Sequence, residues 1–153
     1  MYDVIIRRGR VYDGTGAPWV RADIGVKDGR IAAVGIVAES DAERTIDAAG
    51  LVVSPGFVDT HTHSDLSFLV DPCADSKVKQ GVTLEVAGNC GLSHAPVAGK
   101  SRAQVEKEVR EVGLPLTWST FGEYLDQVEK RGPCVNFMWP RGALRRPQRG
   151  DGL

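Results

Sequence analysis

At Pro55 the chain changes rhythm, and that change limits what it can fold into. Residues 1–54 read as short strands broken by turns. Residues 2–7 are rich in strand formers, and residues 20–26 alternate apolar with mostly polar side chains, as a half-buried strand does. Lys27-Asp28-Gly29-Arg30 puts Asp-Gly at the centre of a tight hairpin that returns through residues 31–35. Residues 12–18 are crowded with breakers, and two further strand-like runs flank Ala49-Gly50. From Pro55 onward, strands alternate with helices. Residues 57–59 end a strand, residues 75–81 read as a short helix closed by Gly81, and residues 82–87 form a second strand. Residues 101–113 and 119–131 have amphipathic helical spacing. Ser119 or Thr120 caps the second helix, with Glu123 in its first turn. Residues 134–137 open a third strand. Such alternation implies an α/β fold with a parallel sheet or barrel, preceded by a small β-sandwich or sheet.

The chemistry gathers where the first of these later strands ends. Alternation sends residues i and i+2 of a strand to one face. On that reading His61 and His63 project together from the strand's carboxyl end. Two of the chain's three histidines stand here. Cys90 follows His63 by 27 residues (90 − 63), about one strand–helix–strand unit. Consecutive strands of such a unit are parallel and usually adjacent. The pair and Cys90 are thus expected on one rim of the sheet, the rim on which barrel enzymes build their sites. Two imidazoles and a thiolate suit zinc, and the glycines flanking Cys90 let backbone approach a metal. Asp59 and Asp65 flank the pair. Each can orient an imidazole from behind or serve as a turn or capping residue. A His-x-His pair alone is a weak signal and a single cysteine is most often a core thiol. Residue type, spacing and position agreeing together carry the expectation. Cys73 and Cys134 are read as structural or incidental thiols, and His94 as an exposed loop residue.

Composition removes other classes. A formal net charge of −1 gives no field that favours nucleic acid or an anionic membrane. No run of 18 apolar residues exists to span a bilayer. The first residues lack the pattern of a signal peptide. Three cysteines are an odd count without paired spacing, so a cytoplasmic protein with reduced thiols is expected.

In order along the chain, Asp3-Val4-Ile5-Ile6, residues 29–35 and residues 53–63 resemble the amidohydrolase superfamily. That superfamily joins a small β-sandwich to a metal-bearing (β/α)8 (TIM) barrel with His-x-His after its first strand. Residues 77–83, followed by Val86-Ala87-Gly88-Asn89-Cys90-Gly91-Leu92-Ser93, are similar to the N-acyl-D-amino-acid deacylases (D-aminoacylases). In those enzymes a cysteine after the second strand ligates zinc, where many relatives use a carboxylated lysine. Residues 121–125 and 133–136 continue the likeness.

The resemblance implies residues 1–54 as part of the sandwich and 55–137 as the start of the barrel. It implies Zn2+ held by His61, His63 and Cys90, and hydrolysis of the linear amide of an N-acyl-D-amino acid. The general-base aspartate and further histidines are expected from later strands. Other readings keep the class but change the substrate, to a hydantoin, a dihydroorotate-like ring or an isoaspartyl peptide. A different class is a non-catalytic remnant that binds metal or a partner.

A (β/α)8 barrel takes roughly 250 residues, and 98 follow Pro55 (153 − 55). Residues 138–153 depart from the family pattern and are read as an aberrant tail. Where Gly-His-Gly is expected, Trp139-Pro140-Arg141 stands, and its codons read one base later can encode Gly-His-Gly. A frameshift near residue 137 and an inactive fragment are therefore expected, to be settled by resequencing that stretch. The four arginines at 141, 145, 146 and 149 lack the aromatic interleaving of a nucleic-acid binder.

Overall fold

The structure is a computed structural model that describes residues 1–38, 42–91, 93–99 and 101–139. It divides into two compact units, Met1–Pro55 and Gly56–Leu153.

The first unit is one mixed sheet of five strands: β1 (Tyr2–Val11), β2 (Val20–Lys27), β3 (Arg30–Gly35), β4 (Ala42–Asp47) and β5 (Val52–Val53). β1 to β3 form an antiparallel meander. The β2–β3 turn has both central residues at positive φ, Asp28 at 51° and Gly29 at 70°. That is the twist-matched geometry Asp-Gly favours in a two-residue hairpin. The turn at Ala49-Gly50 does not reverse the chain, because β4 and β5 both run parallel to β1 along one edge, end to end. Among the described residues this unit is a single sheet. Val11, Ala22 and Ile24 are buried on it, with Ile6, Val26 and Val53 packed around them.

The second unit is a three-stranded parallel sheet in the order β6 (Phe57–Asp59), β7 (Val82–Val86), β8 (Asn136–Met138). Gly56 leads into β6 because Thr83 crowds it: an added Cβ would lie 2.2 Å from the Thr83 side chain. Among the described residues four α-helices lie between the strands, α1 (Ser67–Val70), α2 (Asp75–Val78), α3 (Ser101–Glu111) and α4 (Phe121–Arg131). α4 begins in a full capping box, with the Thr120 hydroxyl accepting from the Glu123 N–H and the Glu123 carboxylate accepting from the Thr120 N–H. α1 had no counterpart in the sequence reading. It is held by burial of Phe68 and Leu69.

One face of the sheet carries Asp59, Glu85 and Phe137 in register. Phe137 meets Phe68 edge-on at a centroid distance of 4.3 Å, so this face looks toward the helices. The core there includes Val105 and Val109 of α3, Tyr124 and Val128 of α4, and Trp118. Met138 pairs with Val86, and Trp139 packs edge-on against Phe121, Tyr124 and Phe137. Residues 140–153, the rest of the expected tail, lie outside the described residues. No helix among the described residues is long and apolar enough to cross a membrane.

Candidate metal centre

The two histidines do not sit on the strand. β6 ends at Asp59, and His61 and His63 lie past it in an irregular segment. Strand alternation is thus not what makes them converge. Three hydrogen bonds, two local and one to β7, help to fix the loop instead. Asp59 Oδ1 accepts from the His61 backbone N–H at 3.2 Å. The Thr62 N–H donates to the Val86 carbonyl at 3.1 Å, carrying the link to β7 one step beyond the ladder. The Thr62 and Ser64 hydroxyls share a hydrogen bond of 2.8 Å. With Thr62 buried between them, both histidines are turned outward and exposed. Their ring centroids stand 5.5 Å apart.

Cys90 arrives from the end of β7. It occupies a 3-10 turn, Asn89–Gly91, with φ at 60° and ψ at 15°. A left-handed conformation is uncommon for a residue with a side chain and is held only where surroundings enforce it. Here the Asn89 side-chain amide donates to the Val86 carbonyl at 2.7 Å and ties the turn back to its strand. The thiol then lies 3.1 Å from His61 Nε2. Ligand atoms of His61, His63 and Cys90 all fall within 4.8 Å of one another. Tetrahedral zinc, with bonds of about 2.0–2.1 Å to nitrogen and 2.3 Å to sulfur, sets a nitrogen and a sulfur roughly 3.5 Å apart. The His61–Cys90 separation lies near that value, and the nitrogen–thiolate donor set suits zinc.

The flanking carboxyls behave differently. Asp59 accepts from Lys77 Nζ, and that bond, opposed by desolvation and helped by the His61 N–H, holds its carboxyl below the ordinary range. Lys77 also reaches Thr62 Oγ1 at 3.4 Å. Asp59 thus fixes the backbone of His61 and not its imidazole. Asp65 is buried, and burial pushes its carboxyl up to about 6 against the pull of its own N–H, the His63 charge and the Gly88 N–H. Its backbone carbonyl accepts from the Tyr124 hydroxyl at 2.6 Å. Burial and the Asp65 charge push Tyr124 far upward, so it stays a donor.

Lys77 and Tyr124 are supports that no local pattern announced. Glu85 is another surprise. It is fully buried beside Asp59 in the ladder, and neither oxygen has a hydrogen-bond partner among the described residues. His94, expected exposed, is half-buried with Nε2 3.2 Å from Glu108 of α3, and it is not part of the metal-ligand group.

The sequence model of the amidohydrolase family matches residues 44–134. The chain is 49% identical over 136 residues to the N-acyl-D-glutamate deacylase of Alcaligenes xylosoxydans xylosoxydans, covering 88% of this chain and 27% of that one. Among solved structures it is similar to D-aminoacylase described with a binuclear metal centre, at a TM-score of 0.77 and 40% identity. That match covers 91% of this chain and 29% of the other. It is also similar to the N-acyl-D-glutamate deacylase of Bordetella bronchiseptica complexed with zinc and a phosphonate inhibitor, at 0.75 and 38%, covering 90% and 29%. The chain therefore spans less than a third of the length of these relatives. With the family model covering more than half of its residues, the chain belongs to the amidohydrolase family.

Proposed function

We propose that this chain carries part of the zinc site of an N-acyl-D-amino-acid deacylase. Such an enzyme hydrolyses the linear amide of its substrate to a carboxylate and a free D-amino acid. One observation carries the reading: His61, His63 and Cys90, from two neighbouring strand ends, offer ligand atoms within 4.8 Å of one another. The deacylase of similar fold that is complexed with zinc supports the choice of ion. When bound, zinc polarises a carbonyl and activates water.

The chain's own residues hold and aim the ligands. Asp59, gripped by Lys77, fixes the His61 backbone. Asp65 sits beside His63 and under the Gly88 N–H, between the two ligand-bearing segments. Exposure of all three ligands leaves the site open to a small molecule. Cys90 favours a deacylase over hydantoinase-like, dihydroorotase-like or isoaspartyl-peptidase-like relatives, many of which use a carboxylated lysine there.

In the same reading the five-stranded sheet is one layer of a β-sandwich and β6 to β8 are the first strands of a (β/α)8 barrel. Val58 and Met138, on the face away from the helices, are 51% and 52% exposed, as a barrel interior lacking its other strands would be. The remaining ligands and the general-base aspartate belong to those strands. The proposed compartment is the cytoplasm, and the partner is a small substrate.

Cobalt substitution tests the site, because a thiolate ligand gives a charge-transfer band that imidazoles do not. We expect that band in the parent chain and its loss in Cys90→Ser, with weakened Zn2+ binding in His61→Ala. Equal Zn2+ affinity in all three proteins would sink the assignment. The 153-residue chain alone is expected to show little or no turnover of an N-acetyl-D-amino acid, and measured turnover would overturn the placement of the base on other strands.

A further inference from the structure

Cys73 and Cys134 stand outside the metal-ligand group, yet folding brings them together across 61 positions (134 − 73). The Cys134 N–H donates to the Pro72 carbonyl at 3.0 Å, and that carbonyl belongs to the peptide unit leading into Cys73. That bond brings the backbone entering Cys73 directly against Cys134, the closeness of chain that a disulfide requires. Both cysteines are free and exposed. The neighbouring Cys134 thiol pushes the Cys73 thiol above its ordinary range, and the neighbour's charge, burial, Asp71 and Asp75 push the same way.

We propose that Cys73 and Cys134 form a redox-modification site that reacts with a small-molecule disulfide, of the class of oxidised glutathione, and closes to an intramolecular disulfide. One cysteine thiolate attacks a reagent sulfur, forming a mixed disulfide and releasing one glutathione thiolate. The second cysteine thiolate attacks the protein-side sulfur of that mixed disulfide and displaces the second glutathione. Two protein thiols are oxidised, the reagent's disulfide is reduced, and the two protons given up by the cysteines end on the glutathione thiols.

The staple joins the segment between α1 and α2 to the segment entering β8. α2 carries Lys77, which grips Asp59 behind His61. Oxidation therefore braces the helix whose lysine supports the metal loop. Because the thiolate is the attacking form, exchange at Cys73 is slow near neutrality and quickens as pH rises.

The test treats the full chain, in the presence of Zn2+, with oxidised glutathione, then acid-quenches, alkylates and maps peptides. The expected result is a cross-link between the Cys73 and Cys134 peptides, with a rise in Tm that dithiothreitol reverses. Cys73→Ser and Cys134→Ser should each stop at a mixed disulfide on the remaining partner, without the rise. Two stable mixed disulfides and no cross-link in the parent chain would overturn the proposal. So would a cross-link through Cys90, or equally fast formation of the Cys73–Cys134 link in the urea-unfolded chain.

Discussion

Asp59 and Asp65 stand two residues before His61 and two residues after His63, and their surroundings give them opposite electrostatics. Asp59 is partly exposed, gripped by Lys77, and held in the carboxylate form. Asp65 is buried beneath α4, with Tyr124 on its backbone carbonyl, and holds its proton to about pH 6. The difference is one of supports. On the Asp59 side the histidine loop is tied by polar contacts near solvent, which stabilise little but set direction. On the Asp65 side it is anchored in the apolar core, where each contact is worth more.

Breaking the buried anchor should therefore cost most. Tyr124 is fully buried, and its ring meets Trp118, Phe121 and Trp139. Tyr124→Ala is expected to lower unfolding free energy by about 3–5 kcal/mol, as aromatic truncations in cores do. Tyr124→Phe keeps the packing and strands the Asp65 carbonyl, for about 1–2 kcal/mol. Urea titration checks both. If Tyr124→Ala costs no more than the loss of Lys77, the contrast between the two sides is wrong.

The second effect is pH dependence in the metal-free chain. Asp65 has a folded pKa of about 6 against an ordinary value of 3.8. The folded state thus keeps a proton that the unfolded state releases. Its stabilising effect is fully present below 3.8 and is lost as pH rises through 6. At 1.36 kcal/mol per pH unit the loss amounts to about 3 kcal/mol. Asp65→Asn should flatten that part of the curve, so the difference between the two proteins, measured at successive pH values, isolates it. A constant difference from pH 4 to 7 would show that Asp65 ionises normally.

These supports also explain which features the sequence revealed. The Asp28-Gly29 hairpin, the Thr120–Glu123 capping box and the strand–helix alternation after Pro55 are local chemistry, readable within a few residues. The meeting of the histidine pair with Cys90 was legible because parallel strand–helix–strand geometry is itself a rule. The means of convergence was not. β6 stops at Asp59, and the loop is shaped by Lys77, 16 positions beyond His61 (77 − 61), and by Tyr124, 59 positions beyond Asp65 (124 − 65). α1 is four residues long and owes its helix to the burial of Phe68 and Leu69, so no periodicity could show it. Cys73 and Cys134 looked incidental for the same reason, since only the fold closes the distance between them.

The smallest effect on stability is expected from Lys77, and it is the one that sharpens the contrast. Its ion pair with Asp59 leaves the two side chains 28% and 24% exposed, so Lys77→Met should cost only about 0.5–1 kcal/mol. Asp59 would return toward its ordinary pKa, a shift that carboxyl NMR can follow. In the parent chain the stabilising effect of this depressed carboxyl is present above 3.8 and fades as pH falls below it, opposite in sign to Asp65. The consequence at the metal should exceed the consequence for folding. Lys77 fixes Asp59, and Asp59 fixes the backbone of His61, a proposed ligand, so Zn2+ affinity is expected to fall about tenfold, the low end for partners behind metal ligands. Lys77→Arg retains the charge and should recover much of that affinity. If Lys77→Met binds Zn2+ as tightly as the parent chain, the solvent-side contacts do not set the direction of His61, and the buried side alone positions the loop.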